Sequence, residues 1–212
     1  MSDDHARAAT FAESYFASDP VMDAARTLAS EYSAVPVPRS VAGLLEILAG
    51  SAGVRQAVEV GTGVGVSSLA LLRGMSPLGV LTSIDVDPDR QAAAKDLITV
   101  ARIKSHRFRT ICGPGEDVLT RLAPNGYELA FIDTEPLRLE LTVRRAVPLL
   151  APGGLLIVHQ ALLRGAVANP ANRDPRAQAV RATLKWIARQ DGLSRVLLPA
   201  GDGLLVARRT TT

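Results

Sequence analysis

Glu59-Val60-Gly61-Thr62-Gly63-Val64-Gly65-Val66-Ser67 is the stretch from which the fold can be read. It follows a short apolar run, Ala57–Val60, and leads into a helical pattern over Ser67–Arg73, so it reads as a tight strand-to-helix turn. Its alternate glycines let the backbone turn sharply and let a ligand approach closely. Free N–H groups at the start of the next helix favour an anion. The spacing G-x-G-x-x-G fails, because Val66 stands where the third glycine would be. Glu59, two residues before Gly61, repels a pyrophosphate and attracts a cation.

Working outward, strands and helices alternate. Predicted strands are Val80–Asp85, Arg107–Cys112, Glu128–Asp133 and Leu155–His159. Predicted helices run from Asp87-Pro88 to about Ala101, over Glu116–Leu122, over Leu137–Leu150, and from Asp174-Pro175 through Trp186 and Ile187 to Asp191-Gly192. The pattern implies an α/β fold: a doubly wound, mostly parallel sheet covered on both faces. Two closing strands, Arg195–Leu198 and Leu204–Arg208, are separated by too few residues for a crossover helix and are expected to be antiparallel. Residues 1–50 read as an N-terminal helical segment and 51–212 as a Rossmann-like core, together one domain. Within the first part, Asp19-Pro20 caps a helix. Val41, Leu44, Leu45 and Leu48 mark a buried face, and Val35-Pro36-Val37-Pro38 is extended. Tyr15, Phe16, Val21, Met22 and Leu28 are expected to bury apolar faces against this chain or a partner.

Composition narrows the function. The 212 residues are 47% hydrophobic and 21% charged, a globular balance. A net charge of +3 is small despite a pI near 9.4, and only 4% of residues are aromatic, so no base-stacking nucleic-acid platform is indicated. One cysteine, Cys112, excludes an internal disulfide framework and fits a cytoplasmic location. The polar N-terminus carries no signal peptide pattern. The uncharged stretch Ala146–Leu163 is broken by prolines and glycines and is not read as a membrane span.

Asp85 ends the second predicted strand, twenty residues past Gly65, where a carboxylate can accept both hydroxyls of a ribose. It also stands two residues before the helix cap Asp87, which gives it a structural reading as well. A ligand with a nucleoside and a cationic part suits the turn and its acids. S-adenosylmethionine fits that description better than NAD. Val58–Ser67, Ile84-Asp85-Val86-Asp87, Gly113–Leu119, Phe131-Ile132-Asp133, Pro152–Val158 and Gly201-Asp202-Gly203-Leu204 together resemble the class I S-adenosylmethionine-dependent methyltransferases. Within them the chain is similar to the small O-methyltransferases of the catechol and caffeoyl-CoA type. The resemblance implies a seven-stranded sheet with a reversed C-terminal strand. It implies that Glu59 lies near the amino-acid end of the cofactor and that Gly61, Thr62 and Gly65 form the turn beneath it. Ser67 would lie near the carboxylate, Asp85 would hold the ribose and Val86 would face the adenine. Gly115 and Glu116 would border the adenine, Val37 would line the methionine side, and Asp133 would sit near the sulfonium. Glu116 also reads as a first-turn acid favoured by the helix dipole.

The chain departs from that family where chemistry is expected. The family's metal is held by an Asp matching Asp133 and by an Asp-Asn pair that is here His159-Gln160. Oxygen-rich sites suit magnesium, whereas an imidazole suits transition metals, so no magnesium site is expected; Asp133, His159 and Gln160 remain candidates for a transition metal. The family's catalytic lysine is replaced by Pro136. His159 then becomes the natural base, since an unperturbed imidazole titrates at about 6.5; a strand-end histidine satisfied by the backbone is the structural alternative. Asp133 is its catalytic companion, and Glu135 is a second candidate base or an acid before a helix. Leu162–Arg173 is expected to roof the acceptor pocket, with Arg164, Asn169 and Asn172 as possible contacts.

The leading expectation is an S-adenosylmethionine-dependent O-methyltransferase acting on a small hydroxylated molecule and releasing S-adenosylhomocysteine. An RNA-modifying methyltransferase is a second reading, supported by the basic cluster Arg102, Lys104, Arg107 and Arg109. A nucleoside-binding protein without catalysis is a third, motivated by Pro136 and His159-Gln160. A homodimer is implied by the resemblance alone.

Overall fold

The computed structural model describes residues 3–15 and 19–210. Helices α1 (Asp3–Ser14), α2 (Pro20–Leu28) and α3 (Arg39–Ser51) precede β1 (Gln56–Val60), α4 (Val66–Gly74), β2 (Val80–Asp85), α5 (Pro88–Val100) and β3 (Phe108–Cys112). Then come α6 (Gly115–Val118), β4 (Tyr127–Ile132), α7 (Pro136–Ala146), β5 (Leu150–Val158), α8 (Pro175–Ala188), β6 (Leu193–Leu198) and β7 (Leu204–Arg209). Four helices open on an acid followed by proline. Asp19, Asp87, Glu135 and Asp174 each accept backbone N–H groups of the first turn, and the following proline has no N–H to leave orphaned.

The seven strands form one sheet in the order β3-β2-β1-β4-β5-β7-β6. The first five are parallel, and β7 runs antiparallel to both β5 and β6, as the short closing connection requires. Successive residues of a strand face opposite sides. Thus Ala57 joins the core under α2, α3, α4 and α5, while Val58 and Val60 join the core under α6, α7 and α8. Glu59 is thereby aimed at the α4 side. The N-terminal segment is part of this packing: Met22, Ala25, Val41 and Leu45 are buried in the first core, with Val21 and Leu28 partly buried against it. Tyr15 is instead exposed, and Phe16 lies outside the described residues.

Two expected boundaries move. The helix expected over Leu137–Leu150 ends at Ala146, because Pro148 brings no N–H and forces a short 3-10 turn, Val147–Leu149. β5 therefore starts at Leu150 rather than Leu155, and its Pro152-Gly153-Gly154 segment carries a register irregularity against β4. The helix expected over Glu116–Leu122 is a single α turn followed by a 3-10 turn, Leu119–Arg121. Among the described residues no helix is long and apolar enough to cross a membrane.

α3 and α4 meet at glycines. A Cβ on Gly74 would stand 2.0 Å from the Glu46 carbonyl oxygen. A helical Gly→Ala change ordinarily stabilises by roughly 0.5–1 kcal/mol. Gly74→Ala should do the opposite, lowering the thermal midpoint by several degrees in calorimetry, about 2–4 °C per kcal/mol lost. An unchanged or raised midpoint would show that the helices part without cost.

Candidate functional site

The order β2-β1-β4 places a topological switch point between β1 and β4, where ligands collect beyond the strand ends. The strand ends are tied in sequence by backbone bonds: Gly61 N–H to Ile84 O, Asp133 N–H to Val60 O, Gly113 N–H to Asp85 O, and His159 N–H to Ile132 O. A Cβ on Gly61 would lie 2.0 Å from the Asp133 carbonyl oxygen, so the turn rests directly on the end of β4. Gly65, at φ +91, is the uncapped start of α4 and lies against Ala94 of α5. By contrast, a Cβ on Gly63 would meet nothing.

A cleft of about 710 Å³ opens over this turn. Its walls include Val37, Gly61, Thr62, Ser67, Asp85, Val86, Gly115, Glu116 and Asp133, nearly the whole expected cofactor set. Asp85 accepts from Gly63 N–H at 2.9 Å and Asp87 N–H at 3.0 Å, so it shapes two turns, as its structural reading expects, and it also lines the cleft. Val86 is 63% exposed at the cleft wall. Gly115 packs so closely on Val60 that a Cβ would stand 2.4 Å from its Cγ1. Glu116 is paired with Arg138.

Gly65 and Glu59 differ in what they offer a ligand. Glu59 is not on the cleft wall; it is fully buried beneath the turn. Ser67 Oγ donates to its Oε1 at 2.5 Å and Ser83 Oγ to its Oε2 at 2.6 Å, with Ser68 also donating. Thr62 Oγ1 bonds Ser83 Oγ, extending the network to the turn. Burial pushes the Glu59 carboxyl up to about 7, against the opposing pull of the three serine hydroxyls and with a smaller push from the negative charge of Asp133. Ser68 and Ser83 were not singled out from the sequence. Their signal is a hydroxyl next to Ser67 and another two residues before Asp85.

The extended Val35–Pro38 segment crosses the cleft as a strap held at both ends by arginines. Arg90 donates to the Tyr32 and Ser33 carbonyls at 3.1 and 3.2 Å, and Arg26 donates to the Val37 carbonyl at 2.5 Å. Behind the strap lies a second cavity of about 950 Å³, lined by α1, the strap, the Leu163–Ala166 loop and the β6–β7 turn. The two spaces share Val35, Pro36, Gln160 and Arg176.

At that junction stand Asp133, His159 and Gln160, brought together as expected. Gln160 Nε2 donates to Asp133 Oδ1 at 3.0 Å, and His159 Nδ1 lies 3.1 Å from Asp133 Oδ2. The His159 ring is 5% exposed, and neither ring nitrogen has an aligned hydrogen-bond partner among the described residues. The backbone-satisfied alternative for this imidazole therefore does not hold. Glu135 caps α7 at Leu137 N–H and lies 3.4 Å from Arg176, which leaves it a structural acid. Asn169 and Asn172 close local turns onto Ala171 and Asp174 and do not line the second cavity, whereas Arg164 does. Of the basic cluster, Arg107 turns inward to the carbonyls of Gly79, Leu72 and Ser76, while Arg102, Lys104 and Arg109 are exposed.

A sheet of this order, with a nucleoside-sized acidic cleft at its switch point and a second cavity beside it, defines the class: a Rossmann-like methyltransferase. The chain belongs to the O-methyltransferase family, whose model matches residues 16–210. A candidate O-methyltransferase of Mycolicibacterium vanbaalenii is 44% identical over 198 residues, 93% of this chain and 88% of the relative. A crystal structure of a Corynebacterium glutamicum protein superposes with a TM-score of 0.93 at 30% identity, covering 99% of both chains. The O-methyltransferase TomG of Streptomyces achromogenes, involved in tomaymycin synthesis and crystallised with S-adenosylmethionine, shares the fold with a TM-score of 0.83 at 24% identity over 92% of each chain.

Because the Glu59 carboxyl is raised, the folded chain holds a proton between about pH 4.5 and 7 that the unfolded chain has already released. Stability without ligand should therefore fall as pH rises through that window, by up to about 3 kcal/mol. Urea melts of the wild type and Glu59→Gln from pH 4.5 to 8 check this; equal slopes in the two proteins would refute it.

Proposed function

We propose that this chain transfers the methyl group of S-adenosylmethionine to a hydroxyl oxygen of a small molecule. The cofactor would lie in the first cleft, with its ribose on Asp85, its adenine between Val86 and Gly115-Glu116, and its amino-acid end over Gly61–Gly65 beside Val37 and Ser67. The acceptor would enter the second cavity and meet the sulfonium at the junction. In the transfer, the acceptor oxygen attacks the methyl carbon as the carbon–sulfur bond breaks. The hydroxyl proton passes to His159 Nε2, and S-adenosylhomocysteine leaves. Asp133 Oδ2, close to Nδ1, favours the imidazole form with its proton on Nδ1, because a nitrogen lone pair facing a carboxylate is repelled. That leaves the lone pair on Nε2, an atom buried beside the Gly201 turn, so that turn must shift for the acceptor to reach it. The single observation that carries the reading is this buried, unpartnered imidazole beside a carboxylate where two ligand-sized spaces share a wall.

The family's magnesium site does not fit these residues. Asp133 is the only carboxylate of the trio, its Oδ1 already receives the Gln160 amide and its Oδ2 faces His159. Among the described residues no group of three histidine, cysteine or acidic side chains is disposed to hold a metal. A homodimer is the further expectation taken from the family, and a cytoplasmic location is the one taken from the single cysteine.

Isothermal titration should detect S-adenosylmethionine and S-adenosylhomocysteine; no heat from either at millimolar concentration would sink the reading. On any catechol or phenol that is methylated, EDTA should leave the rate unchanged. His159→Ala should lower kcat by about 100-fold or more, as expected for a lost general base, with cofactor affinity retained. Activity abolished by EDTA, or retained by His159→Ala, would overturn the role given to His159.

A further inference from the structure

Gln160 is the first residue beyond the β5 histidine, and its backbone is unusual. It sits at φ +57, in the left-handed region that non-glycine residues rarely adopt. Such strain persists only where surrounding contacts hold it. Here the backbone is held on both sides, by His159 N–H to Ile132 O and Ala161 N–H to Gly203 O, and the conformation lets the side-chain amide donate to Asp133, 27 positions away in the chain. An ionised carboxylate only accepts hydrogen bonds, so the amide nitrogen must face Asp133 Oδ1. The other carboxylate oxygen is thereby left to His159 Nδ1 at 3.1 Å.

We infer that Gln160 is a positioning residue that occupies the place of a cation: its amide N–H fixes the Asp133 carboxylate, and through Asp133 it sets the proton of His159 on Nδ1 and leaves the lone pair on Nε2. The inference rests on the function proposed above but concerns how the site is held without a metal. A divalent ion bound by Asp133 would neutralise the carboxylate and fix its rotation. An amide donor does the second task and leaves the negative charge in place to stabilise a protonated imidazole. The neutral amide and the imidazole thus form a matched pair, and replacing one without the other should disturb the site.

The test uses the intact chain and reads both the ring and the metal. Nitrogen-15 spectra of histidine-labelled protein report which ring nitrogen of His159 carries the proton. The wild type should show Nδ1–H, and Gln160→Leu should show mixed forms, with S-adenosylhomocysteine affinity and the thermal midpoint held. Titration with manganese alone should give only weak binding to the wild type, about 1 mM or weaker. The double variant His159→Asp, Gln160→Asn should bind manganese at least about tenfold more tightly, the scale on which ligand sets tune a site. On a methylated catechol, 3,4-dihydroxybenzoate being the first probe, Gln160→Leu should lower kcat by about 10- to 100-fold without changing the KM for S-adenosylmethionine. An unchanged ring form and rate in Gln160→Leu would overturn the inference. So would tight manganese binding by the wild type that Gln160→Leu removes. If no chain methylates any probe, the proposed function fails while the ring and manganese measurements still decide the role of Gln160.

Discussion

Nothing larger than hydrogen fits on the inner side of residue 61. The Gly61 α-carbon lies so close to the Asp133 carbonyl that a Cβ would stand 2.0 Å from its oxygen. That contact brings the turn after β1 onto the end of β4. It follows that the turn and Asp133 share one cleft, and that His159 and Gln160, hung from the end of β5 beside β4, stand at its edge. A side chain at position 61 would push the strand ends apart and separate the glycine turn from Asp133.

Beneath the same turn, the fold accepts an electrostatic cost. Strand alternation aims Glu59 into the core below α4, where an ionised carboxylate is penalised. Three serine hydroxyls, two from α4 and one from β2, offset part of that penalty. The strap above the cleft is settled differently. It has no regular secondary structure; Arg26 takes its Val37 carbonyl, and Arg90 takes the Tyr32 and Ser33 carbonyls of the turn just before it. Glu13 of α1 similarly reaches the N–H groups of Arg39 and Ser40, supplying the cap that Pro38 cannot give α3. Two cavities are therefore walled by segments fixed through long side chains.

Much of this was legible. The alternation of strands and helices, the antiparallel closing pair and the acid-proline helix starts follow from rules that act within a few residues. Asp85 carried two readings; the structure bears out the structural one and sets the same carboxylate on the cleft wall. Misreadings arose where direction in space mattered. Glu135, a second candidate base in the sequence, spends its carboxylate on the start of α7. Arg107 adds to a basic run in one dimension but points into the molecule to hold three carbonyls. Asn169 and Asn172 spend their side chains on their own turns, a competition that polar loop residues commonly win.

By itself the sequence determined the doubly wound sheet, the glycine turn, the acids near the strand ends and the coincidence of Asp133 with His159-Gln160 there. These depend on periodicity, missing side chains and local backbone rules. Only the tertiary structure decided that Glu59 is sealed under the turn, that the His159 ring is buried without an aligned partner, and that the Gln160 amide faces Asp133. Those outcomes depend on which groups from distant segments packing brings within about 3 Å, the range over which a hydrogen bond acts.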